Sequence, residues 1–191
     1  MMVDRKIITG IILSGGKSSR MGSDKGFMKY NGKAFIQHSI DALNPLVTEI
    51  IIVSNNADYD VFGLKRIEDI MKNAGPLAGL YSGLKESKTD YNLVLSCDIP
   101  LIKTVVLQKL VDAIDEDSEI IQIESQQKNM PLIALYKKQC KRTFLELLNK
   151  GERRLQFAVD QCLVKHVILH ENEWEFVQNI NTPEQLNAIL K

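Results

Sequence analysis

Short apolar runs alternate along the chain with segments in which apolar residues recur at helical spacing. The first run, residues 7–13, is rich in isoleucine and nearly continuous, as is typical of a strand buried on both faces of a parallel sheet. Similar runs predict further strands later in the chain. These predicted strands are Ile50–Val53, Leu93–Leu95, Ile120–Ile123, Leu132–Tyr136 and Lys165–Leu169.

Between these runs, apolar positions follow the period of amphipathic helices. A last helix begins after Thr182, because Thr182, Pro183 and Gln185 form the pattern of a capping box with proline at the first helical position. This alternation predicts a three-layer α/β/α sandwich with a mostly parallel, Rossmann-like sheet, in one domain over residues 1–191. The other helical sets are Ile36, Ile40 and Leu43; Leu77, Leu80 and Leu84; Val106, Leu110 and Ile114; and Phe144, Leu147 and Leu148.

The first predicted strand ends in paired glycines followed by cations. The backbone N–H groups of Ser14, Gly15 and Gly16 can turn toward an anionic phosphate, since no large side chain stands in the way. A Walker A loop would need a glycine inside the apolar run, and no G-x-G-x-x-G register exists, so the spacing excludes both motifs. A tight turn with solvated charges is the alternative interpretation. The cations that follow the glycines are Lys17, Arg20 and Lys25.

Asp98 is a second candidate, because it follows an apolar run and Pro100 stops strand pairing just beyond it. A carboxylate at the carboxyl end of a parallel strand lies at the edge where ligands of such sheets bind. A carboxylate at this position suits Mg²⁺, which binds one or two carboxylates together with phosphate oxygens and waters. Alone, a strand-end aspartate is more often a cap; together with the glycine loop, we interpret Asp98 as a metal ligand.

Two further segments combine glycine with charged residues. Asp69 precedes Gly75–Leu80, in which a proline and two glycines predict a helix whose N-terminus approaches a ligand closely. The second segment is Gly151–Arg154, and a guanidinium fork matches a phosphate or a ring oxygen well. Taken alone, two adjacent arginines after a glycine are most often a solvated helix start.

These motifs, in this order, resemble those of a known family. Residues 13–25 match the loop L-[AS]-G-G-x-x-x-R-M-G-x-D-K of nucleotidyltransferases with the nucleotide-diphosphosugar transferase fold. The segments C-D-x-P, G-P-L-A-G-L, G-E-R-R and N-x-N-T-P-E-Q-L make the chain most similar to the molybdenum cofactor guanylyltransferases. Ser14 stands where alanine is commoner, and Met130 where some members have histidine. The resemblance implies transfer of GMP from MgGTP to molybdopterin, or to its molybdenum-loaded form, with release of pyrophosphate.

The resemblance also implies roles for individual residues. It assigns catalysis to Lys25, Asp98 and Arg20, and the Mg²⁺ ion to Asp98. It places Asp69 in the nucleoside pocket without deciding between base and ribose. The implied nucleotide-binding residues are Leu13, Ser14, Gly15, Gly16, Lys25, Ser54, Asn56, Asp69, Gly79 and Asp98. The implied acceptor-binding residues are Arg153, Arg154, Asn179 and Asn181, and turn and cap chemistry is the alternative interpretation of Asn181.

Composition and charge exclude several classes of protein. The 191 residues are 45% hydrophobic and 25% charged, which is a usual globular mixture. The 24 basic and 24 acidic residues cancel, so the total charge implies neither nucleic-acid binding nor a membrane surface. No run approaches the ~18 apolar residues of a membrane span, and the N-terminus leads into a strand rather than a signal peptide, so we expect a cytoplasmic protein. Cys97, Cys140 and Cys162 lack metal-site spacing, which predicts reduced core thiols.

The implied reaction needs few catalytic groups. A phosphate monoester nucleophile has a second pKa of about 6 and is ionised at neutral pH, so no general base is needed. We therefore assign no catalytic role to His38, His166 or His170. The expected protein partners are molybdenum-insertion proteins and molybdoenzyme apoproteins or their chaperones. Two alternatives stay open: an enzyme of the same fold that uses CTP or another phosphorylated acceptor, and a non-catalytic module that delivers nucleotide or cofactor.

Overall fold

The computed structural model describes residues 7–15, 24–71 and 74–190. Gly16, Lys17 and Arg20 therefore lie outside the described residues, and their predicted roles stay predictions. The described strands, in chain order, are β1 (Ile8–Leu13), β2 (Lys29–Tyr30), β3 (Lys33–Ala34), β4 (Glu49–Val53), β5 (Lys65–Ile67), β6 (Tyr91–Ser96), β7 (Ile120–Ser125), β8 (Lys128–Lys137) and β9 (Val164–Ile168).

The described α-helices are α1 (Phe35–Leu43), α2 (Gly75–Glu86), α3 (Thr104–Asp112), α4 (Lys141–Asn149), α5 (Leu155–Val159) and α6 (Pro183–Ile189). Short 3-10 helices cover Lys25–Phe27, Ala57–Phe62, Lys138–Cys140 and Glu171–Val177. Within these described segments, no helix is long and apolar enough to cross a membrane.

Seven strands form one sheet in the order β5, β4, β1, β6, β8, β7, β9. Strand β1 pairs in parallel with β4 and β6, and β4 pairs in parallel with β5. Strand β8 is antiparallel to both of its neighbours, while β9 is parallel to β7. The prediction of a mostly parallel sheet is confirmed, and β8 is its antiparallel member.

Helices cover both faces of this sheet, as the alternating side chains of the strands require. Ile12 and Ile52 pack in a core cluster with residues of α1 and α3. Ile11 and Ile51, one position earlier in each strand, belong to a second cluster with α2, α4 and α5. This arrangement confirms the predicted three layers.

The hydrophobic pattern located the strands and helices well, but it missed the shortest ones. Strand β5 has only three residues, and β2 and β3 have two each, so none is long enough to show a period. The predicted C-terminal capping box is present: Thr182 Oγ1 accepts from the Gln185 backbone N–H at 3.2 Å, and Gln185 Oε1 accepts from the Thr182 backbone N–H at 3.1 Å.

The parallel strands end at one edge of the sheet, and this edge collects the candidate site residues. Ser14 follows β1, Ser54 follows β4, Asp69 lies two residues beyond β5, and Asp98 lies two residues beyond β6. The fold therefore brings together residues that are up to 84 positions apart between Ser14 and Asp98.

Burial of the central strand predicts a large contribution to stability. Ile12 on β1 is fully buried, whereas Ile168 on the edge strand β9 is 68% exposed. We expect Ile12→Ala to lower the free energy of unfolding by about 2–5 kcal/mol, because it leaves a cavity in the core. The matched substitution Ile168→Ala should cost less than about 1 kcal/mol. Denaturation by urea measures both, and equal losses would contradict this packing.

Candidate active site

A cavity of about 830 Å³ opens at the carboxyl edge of the sheet. The loops after β1, β4, β5 and β6, the N-terminal turn of α2 and part of β8 form its walls. The residues that line it include Leu13, Ser14, Gly15, Asp24, Lys25, Asn55, Asn56, Asp69, Gly75, Pro76, Gly79, Cys97, Asp98 and Leu132. The volume falls within the range of ligand pockets, roughly 300–1,000 Å³.

The two oxygens of the Asp98 carboxylate have different environments. Oδ1 accepts hydrogen bonds from Ser96 Oγ at 2.6 Å and from Asn179 Nδ2 at 3.2 Å. Oδ2 faces the Lys25 ammonium at 3.4 Å. The hydrogen bonds to Oδ1 fix the orientation of the carboxylate, so that Oδ2 is held toward Lys25.

Lys25 joins three segments that are distant in the sequence. It begins the 3-10 helix Lys25–Phe27, faces Asp98 after β6, and donates a hydrogen bond to Asn181 Oδ1 in the loop before α6. The backbone N–H of Ile180 also donates to the Asp98 carbonyl at 2.9 Å. The predicted catalytic pair and the predicted acceptor-side asparagines thus form one hydrogen-bonded group.

Asp69 lines the opposite side of the cavity, against helix α2. A side-chain atom built on Gly79 would lie 3.1 Å from Asp69 Oδ1, so glycine allows this close approach. Oδ1 is buried and has no hydrogen-bond partner among the described residues. Burial raises the pKa of Asp69 above its ordinary value. Ionised Asp69 is therefore an acceptor that the surrounding protein leaves unsatisfied.

The polar loop after β4 contributes a residue that the sequence analysis did not single out. Asn55 lines the cavity and accepts a hydrogen bond from the Asp69 backbone N–H at 3.0 Å. Asn56 also lines it, as predicted. Ser54 is buried, and its hydroxyl accepts from the Asn56 backbone N–H at 3.2 Å. Ser54 thus supports the loop, and its predicted contact with nucleotide stays a prediction.

The turn Gly151–Arg154 lies beside the cavity rather than in its wall. The Arg154 guanidinium pairs with Glu152 at 2.6 Å and lies over the Phe157 ring, 4.9 Å from its centre. This pairing lowers the pKa of Glu152 to about 2. The Arg153 guanidinium donates to the carbonyl of Leu148 at 2.9 Å. Arg154 is thus paired within the turn and Arg153 with the end of α4, and their predicted contact with an acceptor stays a prediction.

The same turn nevertheless contacts the helix that lines the cavity. A side-chain atom built on Gly75 would lie 3.7 Å from the Arg153 carbonyl. Gly75 and Pro76, at the start of α2, line the cavity themselves. The Arg153 backbone therefore borders the site through the N-terminal turn of α2.

Comparison with known proteins decides the family. The model of the MobA-like NTP transferase domain matches residues 10–165 of the chain. The chain belongs to this family. A Flavobacterium johnsoniae protein, named a probable molybdenum cofactor guanylyltransferase, is 37% identical over 95% of this chain and 96% of its own length. The molybdenum cofactor guanylyltransferase of Vibrio parahaemolyticus is 34% identical over 92% of this chain and 91% of its own length.

A solved structure supports the fold of this MobA-like NTP transferase. It is the molybdopterin-guanine dinucleotide biosynthesis protein A from Archaeoglobus fulgidus, with a TM-score of 0.79, 20% identity, and coverage of 95% of this chain and 96% of that chain. The predicted family, the predicted fold and the prediction of a nucleotidyltransferase enzyme are confirmed.

The histidines and the cysteine near the site need no catalytic role. None of His38, His166 and His170 is among the residues that line the cavity. Cys97 lines it, but burial raises the pKa of its thiol to about 12, so the reactive thiolate is not formed at neutral pH. The described part of this MobA-like NTP transferase thus offers carboxylates, amides and a lysine for chemistry.

The raised pKa of Asp69 predicts a pH-dependent effect on stability. A carboxyl group with a raised folded-state pKa binds protons more readily in the folded protein, so its ionisation lowers stability as pH rises through that pKa. We expect Asp69→Asn to raise the free energy of unfolding at pH 7 by less than about 1 kcal/mol, since the site is partly solvated. The gain should vanish below the ordinary Asp pKa of 3.8.

Urea denaturation at several pH values measures this difference. Asp117→Asn, at an exposed position, is the matched control and should leave stability unchanged at each pH. A loss of stability on Asp69→Asn at pH 7 would show that the carboxylate has a stabilising partner.

Proposed function

We propose that this MobA-like NTP transferase transfers GMP from GTP to the terminal phosphate of molybdopterin, or of its molybdenum-loaded form, and releases pyrophosphate. The names of its relatives suggest these substrates. The observation that carries the proposal is the group formed by Lys25, Asp98, Asn179 and Asn181 at the mouth of the cavity. This group holds a cation beside an oriented carboxylate, which supports their proposed role in binding the two reacting phosphates.

The described wall of the cavity carries more negative than positive charge. Among the described lining residues, the acidic side chains are Asp24, Asp69 and Asp98, and the one basic side chain is Lys25. A triphosphate would be repelled by this wall unless further positive charge accompanied it. A divalent cation and the predicted cations Lys17 and Arg20 are the sources that we propose.

Asp98 supplies the type of ligand that Mg²⁺ prefers, a carboxylate oxygen. The bonds to Oδ1 leave Oδ2 facing Lys25, and one carboxylate oxygen suits an ion whose other ligands are phosphate oxygens and waters. Asp98 would therefore hold Mg²⁺, which offsets charge on the triphosphate when bound. Lys25, beside it, would bind phosphate oxygens and stabilise charge in the transition state.

The residues of the site position reactants rather than move protons. The acceptor phosphate is already ionised at neutral pH, which agrees with a described cavity lining free of histidine. Catalysis then consists of alignment and charge stabilisation, as in other phosphoryl-group transfers. Gly15, just after β1, would bind phosphate oxygens through its backbone N–H. The Ser14 N–H, predicted for the same role, instead donates to the Val53 carbonyl at 3.0 Å.

Asp69 would bind the guanosine part of GTP. An ionised carboxylate only accepts hydrogen bonds, and guanine presents two donors on one edge, N1–H and the 2-amino group. Cytosine presents a single donor at the corresponding edge, its 4-amino group, beside the acceptors N3 and O2. Asp69 lines the cavity, and no hydrogen bond within the described protein uses its buried Oδ1, which supports a carboxylate kept for a ligand rather than for the fold.

The proposal includes the cytoplasm as the site of action. Cys97, Cys140 and Cys162 are free thiols, which agrees with a reducing compartment. Molybdenum-insertion proteins and molybdoenzyme apoproteins or their chaperones are the protein partners that we propose for supply and delivery.

Release of pyrophosphate tests the reaction and the role of Asp98 together. With GTP, Mg²⁺ and molybdopterin, we expect wild-type turnover, and we expect Asp98→Asn to lower kcat by about 10²–10³-fold through lost charge stabilisation. The melting temperature should change little, because asparagine keeps an acceptor for Ser96. Asp90→Asn, an exposed position just before the opposite end of β6, is the matched control and should keep wild-type kcat.

Other outcomes of this assay would redirect the assignment. Faster pyrophosphate release with CTP than with GTP would indicate an enzyme of the same fold with another nucleotide. Binding of GTP without pyrophosphate release would indicate a delivery module. Wild-type kcat in Asp98→Asn would contradict the proposed metal site.

The arginine turn gives a separate test of the acceptor side. If Arg153 and Arg154 bind the acceptor, replacing both with alanine should raise the KM for molybdopterin about tenfold or more, as expected for lost charge-assisted hydrogen bonds. The KM for GTP should stay within about twofold. Arg142→Ala, exposed on α4, is the control. An unchanged KM for molybdopterin would remove both arginines from the acceptor site.

A further inference from the structure

Asp24 is the centre of a hydrogen-bond network directly before Lys25. Its Oδ1 accepts from the Tyr59 hydroxyl at 2.5 Å and from the Gly26 backbone N–H at 3.1 Å. Its Oδ2 accepts from Asn56 Nδ2 at 3.2 Å. The carboxylate thereby caps the 3-10 helix that begins with Lys25 and joins it to the loop after β4.

Tyr59 is built into the core beneath this network. Its ring is fully buried and packs on Phe27, with 4.6 Å between ring centres, and on Phe62, with 6.2 Å. A side-chain atom built on Gly26 would lie 2.1 Å from the Tyr59 oxygen, so only glycine fits above the hydroxyl. Burial raises the pKa of Tyr59, which keeps its hydroxyl protonated as a donor to Asp24.

We propose that Tyr59 is a positioning residue for nucleotidyl transfer, which acts through Asp24 to keep the Lys25 ammonium directed at Asp98 and the substrate phosphates. This inference rests on the proposed function. Tyr59 is not among the residues that line the cavity, so its effect on substrate is indirect.

The physical basis is competition for Lys25. Asp24 and Lys25 are adjacent in the chain and both line the cavity. The Tyr59 hydroxyl, Gly26 and Asn56 occupy the Asp24 oxygens, while the Lys25 ammonium bonds to Asp98 and Asn181. Without the hydroxyl, the Asp24 carboxylate loses a short hydrogen bond and becomes an alternative partner for the adjacent ammonium. The Lys25 ammonium would then contact the substrate phosphates for a smaller fraction of the time.

Tyr59→Phe removes the hydroxyl and keeps the ring. We expect kcat for GMP transfer to fall about tenfold while the KM for GTP changes less than about threefold, because Lys25 contributes most in the transition state. Tyr136→Phe is the matched control, since Tyr136 is also fully buried and donates to the carbonyl of Pro131 at 2.6 Å in the other core cluster. It should lower kcat less than twofold with a similar change in melting temperature.

Tyr59→Phe is then made in a protein that already carries Asp24→Asn. This experiment distinguishes a positioning role of Tyr59 from a general contribution of Tyr59 to the stability of the fold. A neutral amide cannot capture the ammonium, so Tyr59→Phe should there lower kcat less than about threefold, and the two substitutions should be non-additive.

An equal tenfold loss in both backgrounds would overturn the inference, as would wild-type kcat in Tyr59→Phe. A much larger fall in melting temperature than in Tyr136→Phe would show a structural role instead. Absence of GMP transfer by the wild type would contradict the proposed function and not this inference alone.

Discussion

The pairing of Lys25 with Asp98 is the interaction on which the site depends. The two residues are 73 positions apart, and Asn181, which binds the same ammonium, is 156 positions from Lys25. Each comes from a different segment: the region after β1, the end of β6 and the loop before α6. Because the pair lies in a partly buried cavity mouth, water screens it less than a surface ion pair. Correct docking of the C-terminal loop is therefore part of forming the site.

The sheet explains why these segments can meet. Strand β1 lies between β4 and β6, so the carboxyl ends of three parallel strands are adjacent and open on one edge. Strand β8 then runs antiparallel beside β6 and brings Leu132 to the same cavity. On the other side of β8, the register of its pairing with β7 shifts between Gln122 and Ile123. Such irregularities often occur beside sites, where they redirect side chains.

The sequence predicted those elements that show a hydrophobic period and those site residues that follow directly after a strand. Apolar runs located the long strands, helical spacing located the long helices, and the rule that ligands bind at carboxyl edges brought Asp98 and Lys25 into one site. The pattern could not show β5, whose three residues are too few for a period. It could not show the direction of β8 either, because both directions leave the same residues buried. The contact of Tyr59 with Asp24 was also missed, since a pairing of side chains 35 positions apart depends on the completed fold.

The three carboxylates of the cavity are satisfied to different degrees, and this difference separates their roles. Asp24 receives donors on both oxygens, which suits a residue that holds its neighbours in place. Asp98 has one oxygen fixed by Ser96 and Asn179 and the other directed at a cation, which suits exchange of one positive partner for another. Asp69 has a buried oxygen with no described partner, so its ionised form is destabilising. Two of the three like charges in the cavity are therefore compensated by protein donors or by Lys25, and burial of the third, on Asp69, raises its pKa instead.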